Sequence, residues 1–102
     1  MSIKKRYLKS RPVCKCTFEL PPEAAGDAEA IFLVGEFNGW DRQAQPMRRL
    51  RNGTFKAELE LPAGSSYAFR YLRSDGSWEN DWSADAYQLV PGLGVDNSIV
   101  RL

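Results

Sequence analysis

From Val13 to Leu20 every second residue is apolar. Cys14, Cys16, Phe18 and Leu20 fall on one side, and Lys15, Thr17 and Glu19 on the other. A period of two is that of a half-buried β-strand, because successive side chains of an extended backbone point to opposite faces. The same period returns in Thr54–Leu61, where Phe55, Ala57, Leu59 and Leu61 turn in and Lys56, Glu58 and Glu60 turn out. It returns again in Ser66–Arg73, with Tyr67, Phe69 and Tyr71 on one face and Arg70 and Leu72 on the other. Ala30 to Gly35 is apolar on both faces, as a central strand is. No useful length of the chain carries a helical period.

Turn residues separate these segments. Pro21-Pro22 stops the first, and residues 21–29 read as an acidic loop. Pro46–Arg51 reads as a short edge strand. Asn52-Gly53 is the strongest hairpin signal, since a type I′ turn wants positive φ at both positions. Pro62-Ala63-Gly64 and Asp75-Gly76 mark further turns, residues 79–94 look irregular, and Asn97–Leu102 closes as a last strand. About six or seven short strands at this spacing predict an all-β chain folded as an immunoglobulin-like β-sandwich. The Cys…Trp…Cys hallmark of antibody domains is missing, so the expectation concerns architecture alone. With 102 residues there is room for a single domain.

Charge is placed unevenly. Lys4, Lys5, Arg6, Lys9, Arg11 and Lys15 all precede the first acid, Glu19, so a net charge of +1 is the sum of a +6 segment and a −5 remainder. Residues 1–12 therefore read as a basic arm, either a solvated tail or a docking arm for an acidic partner. Nucleic acid is the weaker candidate and is not expected as a partner. No apolar run reaches the roughly 18 residues of a membrane span, and the basic start lacks the apolar stretch of a signal peptide.

The chain has no histidine, which excludes Ser-His-Asp and Cys-His mechanisms and the commonest zinc sites. It is also far short of the roughly 250 residues of a (β/α)₈ barrel. Cys14 and Cys16 share one strand face about 6.6 Å apart by the strand rise, a long span for a disulfide. They read as reduced, buried, small apolar residues of a cytoplasmic protein, with a redox role as the minority reading. Glycosidases need two carboxylates at a defined separation. The thirteen carboxylates here all read as surface or turn residues, and no deep pocket is expected on so small a sandwich. Catalytic residues, metal and cofactor are accordingly not expected.

Trp40 and Trp78 each follow a turn glycine and lie among polar residues, outside the inward positions of the alternating strands. A loop-borne tryptophan either stacks on a flat C–H face, such as that of a glucose ring, or caps the end of the sandwich. Arg70, on the outward face of its strand, offers five donors to sugar hydroxyls or forms an ion pair with Glu58 or Glu60. Trp82 reads as a third platform or as a core plug.

Four segments in order carry a resemblance. They are Ile31-Phe32-Leu33-Val34-Gly35-Glu36-Phe37-Asn38-Gly39-Trp40, Tyr67-Ala68-Phe69-Arg70-Tyr71, Asp75-Gly76-Ser77-Trp78-Glu79-Asn80-Asp81 and Asn97-Ser98-Ile99-Val100. Together they resemble carbohydrate-binding module family 48. That family includes the isoamylase N-terminal early-set domain and the glycogen-binding domain of the AMP-activated protein kinase β subunit. The chain is most similar to short, stand-alone bacterial proteins of this type. The resemblance covers residues 13–102 and implies an early-set sandwich that binds α-1,4-glucan without a cofactor.

In glycogen-binding members two tryptophans stack on the sugar, and Trp40 and Trp78 match them. A family lysine is matched by Arg70, a leucine that enters the glucan helix by Leu93, and an asparagine by Asn97. Two departures stand out: Val95 replaces a threonine, and Trp82 replaces the usual proline after Asn-Asp. The implied function is a non-catalytic module for glycogen or starch. The alternative is a structural or regulatory subunit that binds a protein partner, such as a glycogen-metabolising enzyme or a kinase.

Overall fold

The computed structural model describes residues 3–102. The strands are β1 (Lys4–Tyr7), β2 (Val13–Leu20), β3 (Ile31–Gly35), β4 (Arg48–Arg49), β5 (Phe55–Pro62), β6 (Ser66–Arg73), β7 (Trp78–Glu79), β8 (Ala86–Val90) and β9 (Val95–Arg101). A one-turn helix, α1 (Pro22–Ala25), follows β2 where a plain loop is expected. The two sheets have the orders β1-β2-β5-β4 and β3-β6-β9-β8, and β7 pairs with β6 beside the second path. Every strand pairing is antiparallel. The architecture is the expected immunoglobulin-like β-sandwich in one compact domain.

The alternating segments become the strands that form the core. β2 buries Cys14, Cys16, Phe18 and Leu20, the apolar set of its sequence pattern. Phe18 meets Phe69 edge-on at 5.0 Å and Phe37 at 5.8 Å, so aromatic contacts join the two sheets. Each such fully buried side chain stabilises the fold by about 1.5–3 kcal/mol relative to exposure. Both cysteines are free and buried. Burial, reinforced by the neighbouring Cys14, pushes the Cys16 thiol up to about 12, so it carries no thiolate at neutral pH.

The basic arm is not a solvated tail. Lys4–Tyr7 pairs with Cys14–Thr17 and covers the edge that β2 would otherwise leave open. Ile3 is buried in the core, and Lys5 reaches Asp85 at 2.6 Å, tying β1 to the opposite sheet. Burial works to raise the Asp85 carboxyl, but the Lys5 ammonium and the Arg101 N–H outweigh it and hold the group below the usual range.

The Asn52-Gly53 turn differs from the type I′ expectation. Gly53 has φ +89°, while Trp40 is the sole described non-glycine with positive φ, so Asn52 is not left-handed. Gly53 N–H donates to Leu50 O, Leu50 N–H to Thr54 O and Thr54 N–H to Asn52 Oδ1. The same three bonds recur at Arg73–Ser77, with Gly76 at φ +90° and Asp75 in place of Asn52. Both are type I turns closed by a left-handed glycine, and the Asx side chain secures the next N–H. The expected edge strand at Pro46–Arg51 is split between sheets: Pro46 bridges to Phe32 of β3, while Arg48–Arg49 joins β5.

Candidate functional site

The segment from Gly35 to Trp40 is a built turn. A Cβ on Gly35 would lie 2.6 Å from Ala68 O and 2.8 Å from Phe69 Cβ, so only glycine permits this approach of β3 to β6. Glu36 Oε1 accepts the Ala68 N–H at 2.6 Å. Phe37 packs on Phe18 and Phe69. Asn38 accepts from Gly35 N–H and donates to Leu33 O, stapling the turn back onto β3. Gly39 then takes a left-handed conformation, and Trp40 follows at φ +60°, with its N–H donating to Gly35 O. A left-handed tryptophan is strained by its Cβ. The turn therefore holds a costly conformation whose product is an indole left 37% exposed.

Trp78 lies on β7, opposite Leu72 of β6. Arg70 on the outer face of β6 sets its guanidinium 4.8 Å from the Trp78 ring centre, and Arg42 approaches to 5.6 Å. These are cation–π contacts. The expected alternative for Arg70, a pair with Glu58 or Glu60, does not form. Those acids lie on the other sheet and pair with Lys15 and Arg11.

Arg73 secures the hairpin that carries Trp78. It donates to Ala24 O, Ser77 Oγ, Trp78 O and, at 2.6 Å, Glu79 Oε2. Neither Arg42 nor Arg73 stands out in the sequence, because their partners come from distant segments.

Along one edge of β6, β9 pairs with Ser66–Phe69 and β7 takes over at Tyr71–Leu72. Arg70 sits at that junction. Phe69 is opposite Ser98, so Arg70 and Asn97 are the next residues along the two strands and both fall on the outer face. Arg70 Nε and Asn97 Oδ1 are both buried atoms with no hydrogen-bond partner. Buried polar atoms are normally satisfied, so two such atoms on one face set it apart from the rest of the sheet.

Leu93 stands on the loop between β8 and β9. Pro91-Gly92, with Gly92 at φ +83° and Leu93 N–H donating to Val90 O, forms the turn that leaves Leu93 68% exposed. Trp40 and Leu93 thus flank the second sheet from its opposite edge strands, β3 and β8. Val95, at the start of β9, is exposed opposite Val90.

Residues 79–94, expected to be irregular, are ordered by a buried polar cluster. Tyr71 OH donates to Asp81 Oδ2 at 2.7 Å, Asp81 N–H donates to Ser98 Oγ, and Ser98 donates to Asn80 Oδ1. Burial and the Asp81 carboxylate hold the Tyr71 phenol well above its usual range, so it stays a donor.

The sequence model of carbohydrate-binding module 48, the isoamylase N-terminal domain, matches residues 25–88. The chain belongs to carbohydrate-binding module family 48. Trp40, Arg70 and Trp78 fall inside the matched stretch, while Leu93 and Asn97 lie beyond it.

Relatives outside the family model agree with this assignment. The 1,4-alpha-glucan branching enzyme GlgB of Nitrobacter winogradskyi is 45% identical over 56 residues, covering 52% of this chain and 8% of the enzyme. That of Ralstonia nicotianae is 43% identical over 58 residues, or 51% and 7%. That of Lactobacillus acidophilus is 32% identical over 79 residues, or 76% and 12%. The chain thus matches only 7% to 12% of the length of these relatives.

Proposed function

We propose that the outer face of the second sheet binds an α-1,4-glucan such as glycogen or starch. The observation that carries this reading is the grouping of Trp78, Arg70 and Asn97, with two buried polar atoms left without partners. Indole faces present a flat apolar surface to the C–H side of a glucose ring. A sugar hydroxyl accepts from Arg70 Nε and another donates to Asn97 Oδ1, supplying the bonds this face lacks. In this reading Trp40 and Leu93, carried by the turns after β3 and β8, take neighbouring glucose units.

The site is shallow, so each contact competes with water. Net binding is roughly −4 to −7 kcal/mol, a Kd from about 1 mM to 10 μM. Weak single contacts still hold a polymer, because many chain ends raise the effective affinity. Binding of this kind needs no metal or cofactor and breaks no bond, so in this reading the module acts without catalysis.

Co-sedimentation with glycogen tests the reading on wild type, Trp40→Ala and Trp78→Ala. Wild type is expected in the pellet and both variants in the supernatant, with melting temperatures close to wild type for Trp78→Ala. Equal pelleting of all three proteins, or of none, would overturn it. Release of reducing sugar from glycogen by the wild-type chain would overturn the non-catalytic part.

A further inference from the structure

Trp82 is neither a core plug nor part of the face described above. It is 56% exposed, while its neighbour Asp81 is buried. The Asp81 bonds to Tyr71, Ser98 and Ser83 fix the backbone there and hold the indole outward.

Beside it lies a hollow of about 250 Å³, lined by Glu19, Pro21, Glu23, Thr54, Asp81 and Trp82. None of these residues belongs to the group of Trp40, Arg70, Trp78, Leu93 and Asn97. The hollow opens where the ends of β2 and β5 meet the loop after β7.

We propose that this hollow is a second sugar site, taking one hexose ring of an α-glucan against the face of Trp82. The ligand class rests on the glucan reading above; the site itself rests on its own geometry. The volume falls below that of pockets for drug-sized ligands, about 300–1,000 Å³, and suits a single ring. The walls combine an indole, a proline ring, a threonine hydroxyl and carboxylate acceptors, which match the apolar and hydroxyl faces of a pyranose.

A neutral polyol fits better than a cation. Glu19 already has the Lys4 ammonium at 3.4 Å, and Asp81 is occupied by Tyr71 OH and the Ser83 N–H. Two of the three wall carboxylates are thus already engaged, and Glu23 is left to accept a hydrogen bond from a sugar hydroxyl.

The chain has three tryptophans, so three indole N–H signals report on the two sites by NMR. Maltoheptaose is titrated into the full chain, and the signals are assigned from Trp40→Ala, Trp78→Ala and Trp82→Ala. The Trp82 signal is expected to shift in wild type and equally in Trp78→Ala, with Glu23→Ala weakening that shift alone. Trp82→Ala is expected to leave the Trp40 and Trp78 shifts intact. It should weaken glycogen binding by roughly tenfold or more, as loss of one of two linked sites does.

A Trp82 signal that stays still while Trp40 and Trp78 move would overturn the second site and leave the first standing. If all three signals stay still, the glucan reading itself fails. A Trp82 shift that vanishes in Trp78→Ala would reduce the two sites to one. A shift given by N-acetyl-lysinamide and not by maltoheptaose would make the hollow a cation site instead.

Discussion

The outer faces of the two sheets are built on opposite principles. On the first sheet Lys4, Lys15 and Arg11 pair with Glu19, Glu58 and Glu60 at 3.4, 3.8 and 3.2 Å. The Lys15 and Arg11 pairs are exposed contacts, each worth about 0–1 kcal/mol, while Glu19 is largely buried, and the three leave a face whose charges largely answer one another. On the second sheet Arg70 finds an indole instead of an acid, and Arg70 Nε and Asn97 Oδ1 find nothing. A buried group without a partner costs about 1–3 kcal/mol. Two such atoms lie on the second sheet, and one, Glu19 Oε1, lies on the first, beside the Trp82 hollow.

The strongest way to break the contrast is to remove what the two sheets share. Phe18 on β2 packs against Phe69 of β6 and Phe37 after β3. Phe18→Ala is expected to cost about 3–5 kcal/mol, since the cavity lies where neither sheet can close it. Urea unfolding followed by tryptophan fluorescence and by far-UV circular dichroism should show one coincident transition, shifted to lower urea. Two separate transitions would mean that the faces belong to independently stable sheets, and the trade between them would lose its meaning.

Trp40 sharpens the comparison because its strain can be measured. Glycine is normally less stable than alanine in regular structure by about 0.5–1 kcal/mol. At φ +60° the order should reverse, because a Cβ in the left-handed region costs roughly 1–2 kcal/mol. Trp40→Gly is therefore expected to melt above Trp40→Ala, with both variants failing to pellet with glycogen. If the alanine variant is the more stable, the turn is not paying for its exposed indole.

The strands were legible in the sequence wherever one face is buried and the other is wet. β2 and β6 span the residues that their alternation marks out, Val13–Leu20 and Ser66–Arg73. The reading failed where a partner from far along the chain decides the conformation. Lys4–Tyr7 has no apolar alternation, and becomes a strand because β2 offers it an open edge. Residues 79–94 look like loop because the bonds that order them run to Tyr71 and Ser98, side chains that local pattern cannot connect.

Trp40 is legible as a turn tryptophan beside glycine, whereas Trp78, read the same way, lies on β7 opposite Leu72. The neighbourhood of Arg70 and Asn97 was visible only through the family resemblance, since it arises from the β6–β9 register. The Trp82 hollow left no local trace, because its walls come from three separate segments.

The smallest expected effect is the control that gives the comparison its force. Lys15 Nζ lies 3.8 Å from Glu58 Oε2, and both side chains are more than 40% exposed. Lys15→Ala removes a positive charge from the chain and one of the pairs on the first sheet. An exposed pair at this distance is screened by salt and offset by the entropy of holding two long side chains. Stability should change by less than about 0.5 kcal/mol in urea denaturation, and glycogen pelleting should match wild type. The null result is informative because Trp78→Ala, on the opposite face, is expected to spare stability as well and yet abolish pelleting. Reduced pelleting by Lys15→Ala at constant stability would show that the charged face also touches the polymer, and the division of labour between the sheets would fall.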